Sequence, residues 1–446
     1  MFRSIHILTG ETLYERPPQS QAEFQTALSA LRQRQRHFAA QPVTARTALL
    51  SACAQRLDAE RGRLARMVSE EVGRCLTECR AELDKSVELI RYYTRLAPEL
   101  LAHKTIATQA SLSQVRFEPL GVVLAVMPWN YPVWQVLRFA VPALCTGNAC
   151  AVKPAPSVAR VSNALFELVG DVPLMPAWLE HADIPQAIAD TDALAFTGSA
   201  DTGRILAAEA GGRLKKTVLE LGGSNAFIVL PDADLRQAAK DACYSRFRDA
   251  GQSCNAAKRI IVTEAVAEPF IRLFLDECAK LQTGDPLDAQ TTLASLHRAD
   301  LRERVHAQVL DAVGNGAQIL CGGEIPAGQG WFYPATVLDK VNPACRAYRE
   351  EVFGPVAAIL RARDAEHAVE LADDNPYGLG ASIYSADETA AWRYAEKLHT
   401  GAVYINRHTS SDLRLPFGGV KASGYGRELS EFGLYEFVNI KTYWQK

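Results

Sequence analysis

The chain has 446 residues, 48% of them hydrophobic, which is too long for one ordinary domain and enough for two or three apolar cores. Its 48 basic and 51 acidic residues are mixed along the sequence and leave a net charge of -3, so no basic stripe exists to hold a nucleic-acid backbone. The N-terminus lacks the apolar core of a signal peptide, and runs such as residues 120–127 are too short to span a bilayer. A cytoplasmic protein with neither nucleic-acid nor membrane partners is expected.

Residues 21–100 are rich in Ala, Leu, Arg and Glu with apolar positions at helical spacing, as at 23–28 and 54–67, and predict a helical N-terminal region. From about Leu120 the pattern changes to short apolar runs alternating with helices: GVVLAVMP, NACAVKP, DALAFTGS and NAFIVL. That rhythm is βαβ and predicts a mostly parallel sheet covered on both faces. After Glu220 a second α/β series begins, with strands at KRIIVTE, GAQILCG and AAILRA. No repeat or low-complexity segment interrupts it.

The ten cysteines are scattered, without paired CxxC units, and read as reduced thiols. Cys75 and Cys79 share a helical spacing, but no second pair or nearby His completes a metal site, so they read as small buried hydrophobes. The nine histidines are equally dispersed. With no metal centre and no serine-type triad in view, an organic cofactor is the expected source of chemistry.

Four segments carry polar groups at positions suited to catalysis. In PWNYP, residues 128–132, Asn130 follows a strand, where open α/β sheets place ligands; its amide either donates to an oxyanion or only forms a turn. DALAFTGSADTG, residues 192–203, runs strand, turn, helix, with Ser199 as cap and the helix N-terminus suited to phosphate. It lacks GxGxxG spacing, so locally it is equally structural punctuation. In ELGGSN, residues 220–225, Glu220 is either a general base raised by partial burial or a surface acid in a turn. In DAGQSCNAAKR, Cys254 has small, polar neighbours, with Lys258 and Arg248 close in sequence to favour a thiolate.

Taken together the chain resembles the aldehyde dehydrogenase superfamily over nearly its whole length. The resemblance rests on PWNYP at 128, Lys153-Pro154, FTGSADTG at 196, LELGGSN at 219, GQSC at 251, EEVFGP at 350 and PFGGVKASGYGRE at 416. It implies an α/β fold with a Rossmann-like nucleotide-binding domain (1–100 and 120–221), an α/β catalytic domain (222–428) and a small β oligomerisation element (101–119 and 429–446) of a homodimer or homotetramer. It implies Cys254 as nucleophile, Asn130 and the Cys254 backbone N–H as oxyanion donors, Glu220 as the base for water, and Glu428 as a proton relay. For NAD or NADP it implies Trp129, Lys153, Gly198, Ser199, Glu351 and Phe353. Two departures bear on the adenine end. Pro156 stands where many NAD-specific relatives carry Glu, so no carboxylate there repels a 2'-phosphate, and the stretch between Lys153 and Thr197 is shortened.

Within the superfamily the chain looks closest to the shorter succinate-semialdehyde dehydrogenases. Arg138 and Arg248 match arginines that grip a substrate carboxylate there, and Ser410 or Ser411 adds a hydrogen bond. Each arginine has an alternative partner in a neighbouring acid, Asp249 in the case of Arg248. Other readings stay open: glutarate semialdehyde, aromatic or aliphatic aldehydes, acyl transfer to coenzyme A, or a non-catalytic binding or structural protein.

Overall fold

Three long helices, α1 (Gln21–Ala39), α2 (Val43–Val72) and α3 (Leu76–Leu100), fill the first hundred residues of a computed structural model that describes residues 1–446. α1 opens on a capping box in which Ser20 and Glu23 satisfy each other's backbone N–H. It buries Phe24, Leu28, Leu31 and Phe38, one stripe of a 3.6-residue period. α2 stops at Gly73, where φ is 90° and an added Cβ would sit 2.9 Å from the Ile7 side chain. Glycine meets both demands, and the turn delivers Arg74 into the interior. Ahead of these helices lies a hairpin absent from the sequence expectations: Phe2–Ile5 pairs antiparallel with Thr12–Arg16, and Phe2 packs edge-on to Trp178 with ring centroids 5.1 Å apart.

The first large sheet runs in the order 424–425, 216–220, 193–197, 122–126, 149–153, 174–176, parallel except for its 424–425 edge. Val122–Val126 lies in its middle because VVLAV is apolar on both faces: Val123 and Ala125 join the core formed with α2 and α3, while Val122 and Leu124 join the core formed with α1. The chain leaves this strand in one direction for 149–153 and 174–176, then returns to its other side with 193–197. The order reverses there, and a crevice opens at the C-terminal strand ends, the usual ligand position in open α/β sheets. The shortened stretch after Lys153 holds the brief strand Leu174–Pro176 and the helix Ile184–Asp190.

The second sheet has the order 318–321, 336–339, 356–362, 257–263, 225–229, 381–384, 403–405, with only the first pair antiparallel. A third sheet pairs Val438–Gln445 with Leu112–Pro119, which also pairs Lys104–Thr105. Residues 429–437 stay outside it: Leu429, Leu434 and Phe437 are buried in the core of α2 and α3. The third sheet exposes Leu112, Ile440 and Trp444. No helix is long and apolar enough to cross a membrane.

Candidate active site

The strand ends of the first sheet bring the predicted residues together. Trp129 and Asn130 follow Val122–Val126, Lys153 ends Ala149–Lys153, Gly198 and Ser199 follow Ala193–Thr197, and Glu220 ends Lys216–Glu220. Cys254 arrives from the other side of the molecule, on the loop that enters Ala257–Thr263 of the second sheet. Eight of the ten cysteines are buried, whereas Cys254 and Cys321 are partly accessible.

Cys254 lines a cavity of about 580 Å³ together with Arg138, Arg248 and Ser411, and its apolar walls include Trp134 and Phe417. Arg138 projects from α4 (Trp134–Cys145) and is ion-paired with Glu428. Arg248 is paired with Asp249 at 3.1 Å, the neighbour its sequence context offered. Asn130 and Glu220 lie outside the lining. Asn130 is tied to the cysteine loop through its side-chain N–H, which donates to the Gln252 carbonyl at 3.0 Å. The residues matched to a cofactor, Trp129, Lys153, Gly198, Ser199, Glu351 and Phe353, also lie outside this cavity.

Burial and charge set the protonation states. Burial pushes the Cys254 thiol up to about 11; Arg138 and Lys258 oppose this, and the Glu220 and Glu351 carboxylates add to it. The sequence expectation of a thiolate favoured by Lys258 and Arg248 is therefore corrected for the protein without ligands. Arg138 is the leading cation, and Lys258 is engaged with Glu351 at 2.7 Å and the Cys254 carbonyl at 2.8 Å. Glu220 is raised well above the ordinary carboxylate range by burial and then by Glu428, with Arg138 opposing. Its Oε1 has no hydrogen-bond partner, and a Cβ on Gly418 would lie 2.7 Å from it. Glu220 is thus a buried, protonated acid and not a surface residue in a turn.

A buried ionic network supports the loop. Arg74 pairs with Glu82 and, at 2.6 Å, with Asp249, all three almost fully buried. Tyr131 donates its hydroxyl proton to Asp249, and the Asp249 N–H donates to Glu78 at 2.8 Å. Asp249 and Ala250 hold left-handed backbone, with φ of 55° and 52°, so the network fixes strained backbone just ahead of Cys254. Burial alone would raise Asp249, but Arg74 and Arg248 hold it below the usual carboxylate range.

Whether the first crevice suits a dinucleotide is tested by its donors. Ser199 caps the helix Ala200–Gly211, accepting from Thr202 N–H at 3.4 Å, and a Cβ on Gly203 would meet Leu221 at 2.6 Å, so glycine lets the helix approach the sheet. A Cβ on Gly198 would meet the Phe196 ring at 2.5 Å. Lys153 is buried at its strand end without a carboxylate partner, and burial lowers it to about 8. Trp129 stacks on His297 at 4.3 Å and meets Phe353 edge-on at 5.9 Å. Glu351 is held by Lys258 and by the Gly223 N–H at 3.1 Å. An unpaired cation, a capped helix N-terminus and an aromatic wall fit an anionic dinucleotide with a planar ring. No group of three or more His, Cys, Asp or Glu is arranged to hold a metal ion.

Sequence reasoning missed Lys85, Arg74 and His297. Lys85 lines the cavity from α3, and its Nζ donates to Ser411 Oγ at 2.5 Å and to Ser411 O at 2.8 Å. His297 is kept neutral by burial, lowered to about 3, and its Nε2 meets Ser157 Oγ at 2.7 Å. All three lie far from the motifs in sequence, and no local pattern marked them.

Two parallel sheets that set a thiol between a buried acid, an amide donor and a dinucleotide-type crevice define an α/β oxidoreductase scaffold. The model of the aldehyde dehydrogenase family matches residues 1–443, and the chain belongs to that family. It is similar to the NAD(P)-dependent succinate semialdehyde dehydrogenase of Escherichia coli, 42% identical over 99% of this chain and 97% of that one. It is similar also to the NADP-dependent succinate-semialdehyde dehydrogenase of Mycobacterium avium, at 39% over 99% and 96%. Among solved structures, succinic semialdehyde dehydrogenase from Streptococcus pyogenes in complex with NADP superposes with a TM-score of 0.97 at 33% identity, covering 100% of this chain and 99% of that one.

Arg74→Met leaves Glu82 buried without its cationic partner and Asp249 with Arg248 alone, and is expected to destabilise the protein by about 3–5 kcal/mol. Arg204→Ala, which breaks an exposed pair with Asp201, is expected to change stability by less than about 1 kcal/mol. Urea unfolding of both variants checks the contrast. The protonated thiol makes a second prediction. Alkylation of Cys254 by iodoacetamide in the ligand-free protein is expected to accelerate about tenfold per pH unit from about pH 7 to 10, followed on its tryptic peptide. A plateau below about pH 9 would contradict the raised pKa.

Proposed function

We propose that the protein oxidises succinate semialdehyde to succinate with NAD or NADP. The observation that carries this reading is the cavity in which Cys254 shares its walls with Arg138, Arg248 and Ser411. Cationic side chains lining the same cavity as the thiol favour an aldehyde that bears its own carboxylate. The names of the similar proteins from Escherichia coli and Mycobacterium avium support the same substrate.

In this mechanism Cys254 releases its proton to solvent as its sulfur bonds to the aldehyde carbon, and the carbonyl oxygen becomes an oxyanion. Asn130 and the Cys254 backbone N–H donate to that oxyanion. A nicotinamide dinucleotide held by the residues matched to a cofactor would supply the hydride acceptor that oxidation of the aldehyde carbon to a Cys254 thioester requires. Glu220, once it has released the proton it holds at rest, takes a proton from water as the water oxygen bonds to the thioester carbon; the carbon–sulfur bond breaks to release the acid, and Glu220 returns its proton to the leaving thiolate. Glu428, whose charge acts on Glu220 and which is paired with Arg138, relays the resting proton of Glu220 outward. Lys153 serves the adenosine ribose, Gly198 and Ser199 the pyrophosphate, and Glu351, Phe353 and Trp129 the nicotinamide end.

The same reading divides the chain into a nucleotide-binding part (1–100 and 120–221), a catalytic part (222–428) and a small oligomerisation element. Exposed Ile440 and Trp444 on the third sheet support its role in a homodimer or homotetramer, and ten unpaired cysteines support a reducing cytoplasm.

Turnover of succinate semialdehyde and butanal, followed by reduced-nicotinamide absorbance, tests the substrate. Wild type is expected to favour the acid in kcat/KM, Arg138→Ala or Arg248→Ala to reduce that preference at least about tenfold, and Cys254→Ala to be inactive. Activity in Cys254→Ala, or equal use of the two aldehydes by wild type, would overturn the reading. Pro156 adds a cofactor prediction: it opens a short helical turn after Lys153, and Pro156→Glu would set a carboxylate there. The variant is expected to raise the KM for NADP about tenfold or more while changing that for NAD little, measured with both cofactors.

A further inference from the structure

We propose that Lys85, from the N-terminal helical region, is a specificity-determining residue that binds the substrate's distal carboxylate and supplies the cavity's unneutralised positive charge. The proposal rests on the ω-oxo acid reading given above and adds to it a residue that no motif marks.

The charge inventory of the cavity leads to Lys85. Arg138 is neutralised by Glu428, Arg248 by Asp249, and Arg74 by Glu82 and Asp249. Lys280 is paired with Glu277 at 2.5 Å, and Lys240 is exposed to solvent. Lys85 alone among the partly buried cations of the lining has no carboxylate within ion-pair distance. The nearest acid that acts on it, Asp412, is itself held by Arg414 at 2.7 Å. A buried ammonium without a counter-ion is costly, and an anionic ligand offsets that cost.

Geometry adds direction. The Lys85 ammonium has three N–H donors, and Ser411 Oγ and Ser411 O accept from it. One donor remains for a ligand. The ammonium also lies 4.6 Å from the centroid of the Trp134 ring, an apolar wall of the cavity. The side chain is thereby steered toward the same space that Arg138 and Arg248 face. The paired arginines contribute fixed hydrogen-bond directions, and Lys85 contributes the net charge that a monoanionic ω-oxo acid matches. Charge facing Lys85 comes from Arg138 on α4, Arg248 ahead of the cysteine loop, and Asp412 on the loop that also carries Ser411. Burial first, then Arg138 and Arg248, lowers its pKa to about 8. Acid binding should therefore weaken as pH rises through about 8, because Lys85 loses its proton there.

The test compares kcat/KM for succinate semialdehyde and butanal in wild type, Lys85→Met, Lys85→Gln and Lys85→Arg. Lys85→Met and Lys85→Gln are expected to lower the acid-to-butanal ratio at least about tenfold, mainly through the KM for the acid. Lys85→Arg is expected to restore most of the ratio and to remove the rise in that KM above about pH 8. Lys85→Gln keeps hydrogen-bonding capacity toward Ser411, so the test survives if Lys85→Met does not fold. A wild type that uses both aldehydes equally overturns the ω-oxo acid reading. A selective wild type with equally selective Lys85→Met or Lys85→Gln overturns the role of Lys85 alone.

Discussion

The Arg74 guanidinium joins three parts of the chain that lie far apart in sequence. It pairs with Glu82, whose other oxygen accepts the N–H groups of Val133 and Trp134 at 3.0 Å and so fixes the start of α4, the helix that carries Arg138. It donates to the Asn130 carbonyl at 3.3 Å and pairs with Asp249 on the cysteine loop. One side chain therefore sets the amide donor, the arginine helix and the thiol relative to one another. Such a network is poor evidence of net stabilisation, since desolvating each ion costs several kcal/mol. Its physical value is that few other arrangements satisfy three buried charges at once. The left-handed Asp249 and Ala250 are strained by about 1–3 kcal/mol each, and they persist because the network over-determines them.

The same burial that makes the network specific keeps Cys254 and Glu220 protonated at rest. Glu220 and Glu428 are both raised, and both lie near Arg138. Glu428 keeps its ion pair with Arg138, and the second carboxyl beside the same guanidinium, Glu220, is the one that holds its proton. A protonated thiol next to such a pair is protected from adventitious alkylation and oxidation. The cost is that the thiol must lose its proton after the ligands have changed the surrounding field. In the proposed mechanism, entry of a polar cofactor and an anionic substrate therefore precedes the chemistry.

Much of this was legible in the sequence, for local reasons. Strands at VVLAV and ALAFT announced themselves because both faces are buried, and Ser199 announced the helix it caps. Cys254 stood out by its small neighbours, and it is one of only two partly accessible cysteines. Illegible were groups whose meaning arises only from contact across the fold. Arg74 lies 175 positions from Asp249, and Lys85 lies 326 from Ser411. In sequence both are ordinary basic residues beside helices. The hairpin of residues 2–16 was missed because only Phe2 and Ser4 of its first strand are fully buried, too short a pattern to read. The thiol's raised pKa was misjudged because proximity in sequence stood in for proximity in space: Arg138, 116 positions away by numbering, outweighs Arg248.

The position of Cys254 between the two sheets explains why the chain needs both. The first sheet ends its strands at a crevice suited to a dinucleotide, and its Glu220 closes the last of those ends. The second sheet contributes the thiol from a loop that enters its Ala257–Thr263 strand, and Glu351 and Phe353 precede its neighbouring Val356–Ala362 strand, so the proposed nucleophile and the proposed nicotinamide contacts come from the same sheet. The cavity proposed for the substrate is lined by α3, α4, the helix Leu235–Phe247, the cysteine loop, residues 277–292 and the loop of Ser411, with none of the proposed cofactor residues among its walls. A change of substrate can then be made on α3 and α4 without disturbing the crevice. Lys85 and Arg138 stand on those helices, which is where selection for the substrate's distal carboxylate is expected to act.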